Sequence, residues 1–567
     1  MVNTEIRTGR LWERWQDHAS RAPEREAIVH WMAGERPHRW YWGDLVGRAQ
    51  EFAAGLRSMG VERGDVCALI FRHDRDFYPL YMGIEALGAL PSVLAYPNPR
   101  LHPDKFRQGI EGMSRRSGLD WLLTEPSLEP ALRPLVAGSG STIREILLPL
   151  DREHPVPPDR AEWRSTMAIS TSDEPCLLQH SSGTTGLQKA VMLSHRAVLE
   201  HVAHYGRAIA LTPDDRIVSW LPLYHDMGLI AAFHLPLAFG VPTVQIDPFQ
   251  WIAAPVLLIE AVSREMGTLT WLPNFAYNLL ADRVSEEELE GLRVDTLRMV
   301  INCSEPVRAE SHDRFRHRFA PYGLREGALA ACYAMAETTF AVTQTVPSQD
   351  AKTVAASRDE LAQGRFRAAA EADSVRWCVS SGIPIDGCEV DVVGDAGERL
   401  PDGTIGEIVI HSVSMFDGYR HAADATAEVL RSGWYSSGDL GFRHGGELYV
   451  IGRKKDIIIV AGKNLYPEDI EDALGGIDGI LPGRVVAFGA DDPESGTERI
   501  CVVAETALTG AQETKQLRRA VVEAAMQIDV TISAVFLVPP RWLIKSSAGK
   551  PSRRANKERA LRELVAP

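Results

Sequence analysis

Residues 180–195 read HSSGTTGLQKAVMLSH, with small and hydroxyl-bearing side chains packed ahead of a lone lysine and a run of strand character. Ser181, Ser182, Gly183, Thr184, Thr185 and Gly186 let backbone N–H groups converge on one point, and their hydroxyls add donors. Such a loop can wrap phosphate oxygens, with Lys189 supplying opposing charge. Gly183, Gly186 and Lys189 fall three apart, which is not the GxxxxGK[ST] spacing of a nucleotide P-loop, so a kinase-type or Walker ATPase is disfavoured. Taken alone, the stretch is equally compatible with a solvated hairpin loop, because clusters of Ser, Thr and Gly commonly form loops.

Alternating elements must carry this loop. Short apolar runs, such as DVCALIF at 65–71 and TLRMVIN at 296–302, alternate with helical stretches. In WGDLVGRAQEFAAGLRSMG, 42–60, Leu45, Ala49, Phe52, Ala53 and Leu56 recur at helical spacing, and Gly60 is placed to stop the helix. The alternation predicts an α/β fold with parallel sheets. After about residue 453 the pieces become smaller. DIIIVAG, RVVAFGADD, RICVVAET and SAVFLVPP read as strands, and YPEDIEDALGGI and QETKQLRRAVVEAAMQI as helices. This predicts a large N-terminal domain over 1–453 and a small α+β domain over 454–567, joined at the charged GRKKD stretch, Gly452 to Asp456.

Composition narrows the function. Of the 567 residues, 45% are hydrophobic and 24% charged, which predicts an ordinary buried core rather than a disordered chain. A net charge of -15 argues against general binding to nucleic acid or anionic membranes. Cysteines 67, 176, 303, 332, 378, 388 and 501 form no CxxC pair, so neither a disulfide framework nor a zinc site is expected, and a reducing cytoplasm suits the chain. The N-terminus, MVNTEIRTGRLWERWQDH, has no apolar core of signal-peptide length. The longest apolar stretch, 229–244, is broken by His234, Pro236 and Gly240, which predicts a buried α/β segment rather than a membrane span.

The 180–195 stretch resembles the (S/T)SGTTGxPKG phosphate loop of adenylate-forming enzymes, the superfamily of acyl-CoA synthetases, fatty acyl-AMP ligases and peptide-synthetase adenylation domains. It departs from that pattern at Gln188 and Ala190. The resemblance continues in order through LPLYHDMGLI, NCSEPVRAE, YAMAETT, WYSSGDLG, GRKKDIIIVAGKNLYPEDIE and IKSSAGKPSRR. It implies a ligase using ATP and Mg2+, which turns a carboxylic acid into acyl-AMP and then passes the acyl group to a thiol. It also implies roles for individual residues. Ser181 to Gly186 and Lys189 would hold the β- and γ-phosphates. Tyr333 would lie beside adenine, with Ala334, Thr338 and the Ser304-Glu305-Pro306 turn nearby. Glu337 would be the magnesium carboxylate. Asp439 and Arg453 would meet the ribose. Lys550 would bridge the carboxylate and the α-phosphate when a mobile small domain, turning about Lys455, closes.

YHDMGLI and WLPNFAYNLLADR resemble the fatty acyl-AMP ligase branch. On that pattern Asp226 is structural, and His225, Trp271, Asn274, Phe275 and Tyr277 are candidates for an apolar acyl pocket, although aromatic residues near a helix start can equally be plain core. Between Phe340 and Ser380 lies an extra-looking stretch that includes VAASRDELAQGRFRAAAEADS. A loop of such length is commonly functional or disordered. It resembles the inserted segment of fatty acyl-AMP ligases, which is thought to restrain the small domain and disfavour CoA. Together with Ala336, this points to a phosphopantetheine arm on an acyl carrier protein as acceptor. CoA remains the alternative, as does an enzyme specialised for one half-reaction.

Overall fold

The helix predicted over 42–60 forms over Trp42–Ser58, and Leu45, Ala49, Phe52, Ala53 and Leu56 are all buried. Gly60 follows with a φ of 96°, a left-handed turn that suits glycine. Each large apolar side chain withdrawn from water this way contributes about 1.5–3 kcal/mol. The structure is a computed structural model describing residues 9–97, 103–136, 138, 140–151, 171–180, 188–371, 373–460, 463–492, 497–545 and 551–564.

The chain packs as two units that do not follow a single cut of the sequence. One comprises Met1–Ala351, Gly382–Glu389 and His411–Trp434; the other comprises Lys352–Ser381, Val390–Ile410 and Tyr435–Pro567.

In the first unit, six strands run parallel in the spatial order Glu26–Trp31, Thr243–Ile246, Ile217–Ser219, Leu269–Leu272, Met299–Asn302 and Leu329–Ala334. On one side His38–Tyr41 pairs antiparallel with Glu26–Trp31; on the other Ala341–Gln344 pairs antiparallel with both Leu329–Ala334 and Ile383–Pro384. Leu269–Leu272 and Met299–Asn302 are buried along their whole length, the near-continuous apolar pattern of parallel strands covered on both faces. A second parallel sheet holds Leu90–Val93, Val66–Ile70, Trp121–Thr124 and Glu145–Leu147. Its core, including Val66, Ile70 and Leu122, extends to Leu178 and Ala190 of a separate hairpin, Pro175–His180 with Ala190–Ser194.

The apolar stretch at 229–244 is the buried α/β segment expected. A π-helix, Met227–His234, runs into Leu235–Phe239, which Gly240 ends in a left-handed conformation, and the strand Thr243–Ile246 follows. Among the described residues no helix is long and apolar enough to cross a membrane.

In the second unit, the strands and helices predicted beyond residue 453 form as Ile458–Val460, Pro467–Gly475, Val485–Asp492, Thr497–Glu505, Ala511–Met526 and Ala534–Val538. Their core includes Ile458, Ile470, Val502 and Val521. The stretch between Phe340 and Ser380, expected as a long loop, is folded. Thr353–Ser357 pairs antiparallel with Val375–Val379, and a short helix, Arg358–Ala362, follows the first strand. Ala356, Leu361 and Cys378 of this hairpin share a core with Leu440, Phe442, Tyr449, Ile451 and Tyr466. That apolar face explains why the segment has structure of its own.

Candidate active site

The carboxyl ends of the parallel strands gather the candidate residues of the first unit. Open α/β sheets place ligands at this edge. His225 lies beyond Ile217–Ser219, Asn274 beyond Leu269–Leu272, and Ser304 to Pro306 beyond Met299–Asn302; Tyr333 and Ala334 end Leu329–Ala334. The backbone turns sharply here. Ser304 has a φ of 68°, the left-handed region that costs a residue bearing a Cβ. Its hydroxyl approaches the sulfurs of Cys303 and Met227 at 3.7 and 3.9 Å. Glu305 accepts a hydrogen bond from the Phe275 N–H at 2.9 Å, which ties this turn to the start of the helix Asn274–Arg283. Tyr333 is buried beside a β-bulge between Tyr333 and Ala334.

The acyl-pocket candidates divide by exposure. Trp271 is fully buried and its indole N–H donates to the Tyr205 hydroxyl at 2.8 Å. Tyr277, also buried, donates to the Val300 carbonyl at 2.9 Å. Asn274 donates to Ser311 at 3.0 Å and accepts from Asn302 and the Arg308 N–H, each at 3.1 Å. Phe275 is 40% exposed and lies edge-on to Trp220 and Trp251, which stack face to face 3.6 Å apart. His225 Nδ1 is 2.6 Å from Asp226 Oδ1, and the same carboxylate oxygen accepts from the Met227 N–H at 2.7 Å at the head of the π-helix. Asp226 thus caps a helix, and π-helical turns recur at functional sites.

Ser181 to Gly186 lie outside the described residues, but the residues that precede and follow this stretch, His180 and Gln188, are described. His180 and Ala190 are paired across the hairpin. His180 is clasped between Ser92, 2.9 Å from Nδ1, and Ser117, 3.1 Å from Nε2. Burial holds its pKa down to about 4, so the ring is neutral, with one donor and one acceptor for the two hydroxyls.

At the other end, the Lys189 ammonium stands 4.4 Å from the centroid of the Tyr419 ring. The Tyr419 hydroxyl donates to Glu337 Oε1 at 2.7 Å. Tyr419 therefore joins a cation on its face to an anion at its hydroxyl. The backbone secures the arrangement. Val191 bridges Tyr419, Arg420 N–H donates to the Ala190 carbonyl at 2.9 Å, and Phe416 N–H donates to the Glu337 carbonyl at 2.8 Å. Glu337 sits in the single turn Ala336–Thr338. Buried Thr338 bonds the Met335 and Phe340 carbonyls there, and Thr339, at a φ of 70°, donates to the Ser414 carbonyl at 2.8 Å. Sequence reasoning missed Tyr419, which lies 82 residues from Glu337. The available signal was an aromatic residue following Gly418, whose φ of 117° lets the chain lie along the hairpin.

In the second unit, Asp439 and Arg453 are cross-strand partners, with Nε 3.0 Å from Oδ1. Asp439 is nearly buried and Arg453 exposed. Lys455 is exposed in the turn Lys454–Asp456. Lys550 lies outside the described residues. A second omission from sequence is Arg376, buried within the folded hairpin. It reaches Asp469 at 3.0 Å, donates to the Ile451 carbonyl at 2.9 Å and lies 5.1 Å from the centroid of the Tyr466 ring.

Among the described residues no group of three or more His, Cys, Asp or Glu side chains could hold a metal ion. Glu337 as a single carboxylate fits an ion that keeps several waters and is otherwise bound by substrate phosphates, as Mg2+ is.

Comparison with known proteins places these features in one family. The AMP-binding enzyme family matches residues 15–420. A protein of Mycobacterium tuberculosis named "Probable long-chain-fatty-acid–AMP ligase FadD30" is 30% identical over 580 residues, covering 95% of this chain and 96% of that one. The medium-chain-fatty-acid–[acyl-carrier-protein] ligase JamA of Moorena producens is 29% identical over 534 residues, covering 90% and 88%. A solved structure from a study of fatty acyl-adenylate ligases of E. coli and L. pneumophila matches with a TM-score of 0.88 at 25% identity, covering 98% of this chain and 99% of that one. The chain belongs to the AMP-binding enzyme family and is a ligase of the acyl-AMP ligase and acyl-CoA synthetase type.

Proposed function

We propose that the protein activates a fatty or other apolar carboxylic acid with ATP and then loads it onto the phosphopantetheine thiol of an acyl carrier protein. A carboxylate oxygen attacks the α-phosphorus and pyrophosphate leaves; the thiol sulfur then attacks the acyl carbon, AMP leaves, and the thiol proton passes to solvent. The observation that carries this is the Lys189–Tyr419–Glu337 arrangement, whose Lys189 follows closely on the SSGTTG stretch in sequence. A cation and a carboxylate held on one ring suit a triphosphate and the divalent ion that accompanies it.

In this scheme Ser181 to Gly186 and Lys189 hold the β- and γ-phosphates, and Glu337 holds Mg2+, which offsets phosphate charge when bound. Tyr333, Ala334, Thr338 and the Ser304–Pro306 turn receive the adenine, and Asp439 with Arg453 receives the ribose. Lys550 neutralises the carboxylate and α-phosphate as charge shifts between them, an effect acting on the transition state. The part that swings is 454–567, and it turns about Lys455. His225, Asn274 and Phe275 border the acid, with Trp271 and Tyr277 backing them.

Carrier loading over CoA follows the resemblance of this folded hairpin to the inserted segment of fatty acyl-AMP ligases. Its buried Arg376 meets Asp469 and Tyr466, both beyond Lys455, so a swing that parted them would strip a buried charge of its partner. The likeness to a carrier-protein ligase points the same way. Seven buried cysteines, none of them in a disulfide among the described residues, suit a reducing cytoplasm.

The test is incubation with ATP, Mg2+, a panel of carboxylic acids, and either CoA or a carrier protein bearing phosphopantetheine. Acid-dependent AMP release with acyl-carrier product is expected. Release of ADP would overturn the reaction class, and a CoA thioester alone would overturn the acceptor. Lys550→Ala should nearly abolish acid-dependent exchange of pyrophosphate into ATP while leaving ATP binding; retained exchange would remove Lys550 from its role.

A further inference from the structure

Thr339 holds a conformation that its own side chain opposes. At φ 70° and ψ -52° it adopts the rare, strained γ-turn, where a β-branched residue is an outlier. It follows directly on the single turn Ala336–Thr338 that carries Glu337, so whatever fixes Thr339 also sets the backbone behind that carboxylate. Strain of this kind persists only where the surroundings over-determine the chain. Ser414 is the first of those surroundings. Its carbonyl accepts from the Thr339 hydroxyl at 2.8 Å, and its own hydroxyl donates to the Thr338 carbonyl at 3.3 Å.

Behind Ser414 stands His201, buried on the helix His195–Ala208. The Ala341 N–H donates to its Nε2 at 3.2 Å, and a backbone amide can only donate. That fixes the tautomer: the proton is on Nδ1, which lies 3.2 Å from the Ser414 hydroxyl and donates to it. One ring thus grips Ala341, two residues beyond Thr339, and also the serine that binds Thr338 and Thr339. Phe340, between the two attachments, lies edge-on to the same ring with centroids 6.2 Å apart. All of these residues belong to the first unit.

We propose that His201 is a positioning residue for Glu337, acting through Ser414 on the Thr338–Thr339 backbone. The proposal rests on the magnesium role given to Glu337 above. The Tyr419 hydroxyl fixes one oxygen of that carboxylate, and the His201–Ser414 chain fixes the backbone that bears it. A displacement of about 1 Å at a reacting group can cost roughly a hundredfold in rate, so a loosened turn is felt in turnover and in what the metal adds to ATP binding.

Ser414→Ala is the deciding variant, because it removes the hydroxyl and keeps the carbonyl that Thr339 uses. Two further variants separate the bonds of the ring: the Asn amide nitrogen stands in for Nδ1 and the Gln amide group for Nε2, so His201→Asn keeps the bond to Ser414 and His201→Gln the bond to Ala341. The readouts are kcat in pyrophosphate exchange, the melting temperature, and calorimetric ATP affinity with and without Mg2+ in the absence of acid, which needs no turnover. Ser414→Ala and His201→Gln should each lower kcat about tenfold and shrink the gain in ATP affinity that Mg2+ brings. Combining them should cost no more than either alone, since both break one chain of bonds. His201→Asn should keep most of both quantities, although it leaves the Ala341 N–H unbonded and melts below the native protein. Ser414→Ala within about twofold of the native protein in both readouts overturns the proposal. So do losses that follow the melting temperature across the three variants, which would mark a structural role. Glu337→Gln that retains the Mg2+ gain sinks the Glu337 role and the proposal with it; a Glu337→Gln that loses the gain beside an unaffected Ser414→Ala sinks only the coupling.

Discussion

Tyr419→Phe removes one oxygen atom and isolates what the Tyr419 hydroxyl does. The ring remains, so the Lys189 contact at 4.4 Å is retained, while the 2.7 Å bond to Glu337 is lost. A hydrogen bond to a charged acceptor contributes roughly 1.5–3 kcal/mol. Glu337 is partly exposed, so water replaces part of this, leaving about 1–2 kcal/mol in the position of the carboxylate. Since 1.36 kcal/mol is tenfold in rate, acid-dependent pyrophosphate exchange should fall about five- to thirtyfold. Tyr419→Leu should lose more, because the cation–π contact, worth about 0.5–1 kcal/mol when partly exposed, goes as well. The assay is exchange at saturating ATP with a magnesium titration and a thermal melt on the same samples. A Tyr419→Phe rate within twofold of the native protein, with an unchanged magnesium titration, would refute the role of the hydroxyl.

Glu337→Gln should weaken the magnesium dependence of exchange, and an unchanged titration would remove Glu337 from the metal. Arg376→Met should destabilise the second unit, because deleting one partner of a buried pair costs about 3–5 kcal/mol, and adding Asp469→Leu should restore part of the loss in urea melts. Burial lowers the pKa of His180, His195 and His312 to about 4, of His201 and His234 to about 3 and of His30 to about 2. Below about pH 6.5 the unfolded chain takes up protons that these buried rings refuse, so stability falls as pH drops from 6.5 toward 4. Each such ring contributes up to about 1.4 kcal/mol per pH unit, and urea midpoints that stay flat between pH 7.5 and 5 would contradict it.

Periodicity made the scaffold legible: the 42–60 helix and the run of small elements beyond residue 453 formed where apolar spacing put them. Burial on one face is a local property that sequence records directly. The site was legible only as motif positions, because its contacts join distant segments. Nothing near Glu337 announces Tyr419, and Glu305, expected beside adenine, also holds the N–H of Phe275. The stretch between Phe340 and Ser380 read as a loop because its strands Thr353–Ser357 and Val375–Val379 are short and the sequence between them is rich in alanine and arginine. The apolar surface that folds them, including Phe442, Tyr449 and Tyr466, comes from elsewhere in the chain.

Arg376 also bears on inheritance. A guanidinium enclosed in an oily interior is costly to gain or lose alone: without Arg376, Asp469 loses its 3.0 Å partner and keeps the more distant Arg358 at 3.6 Å, and without Asp469, Arg376 loses its ion-pair partner. The hairpin and residues 463–469 thus form one heritable parcel. Transplanting the hairpin into a relative that lacks it should succeed only when the acidic and aromatic partners travel with it.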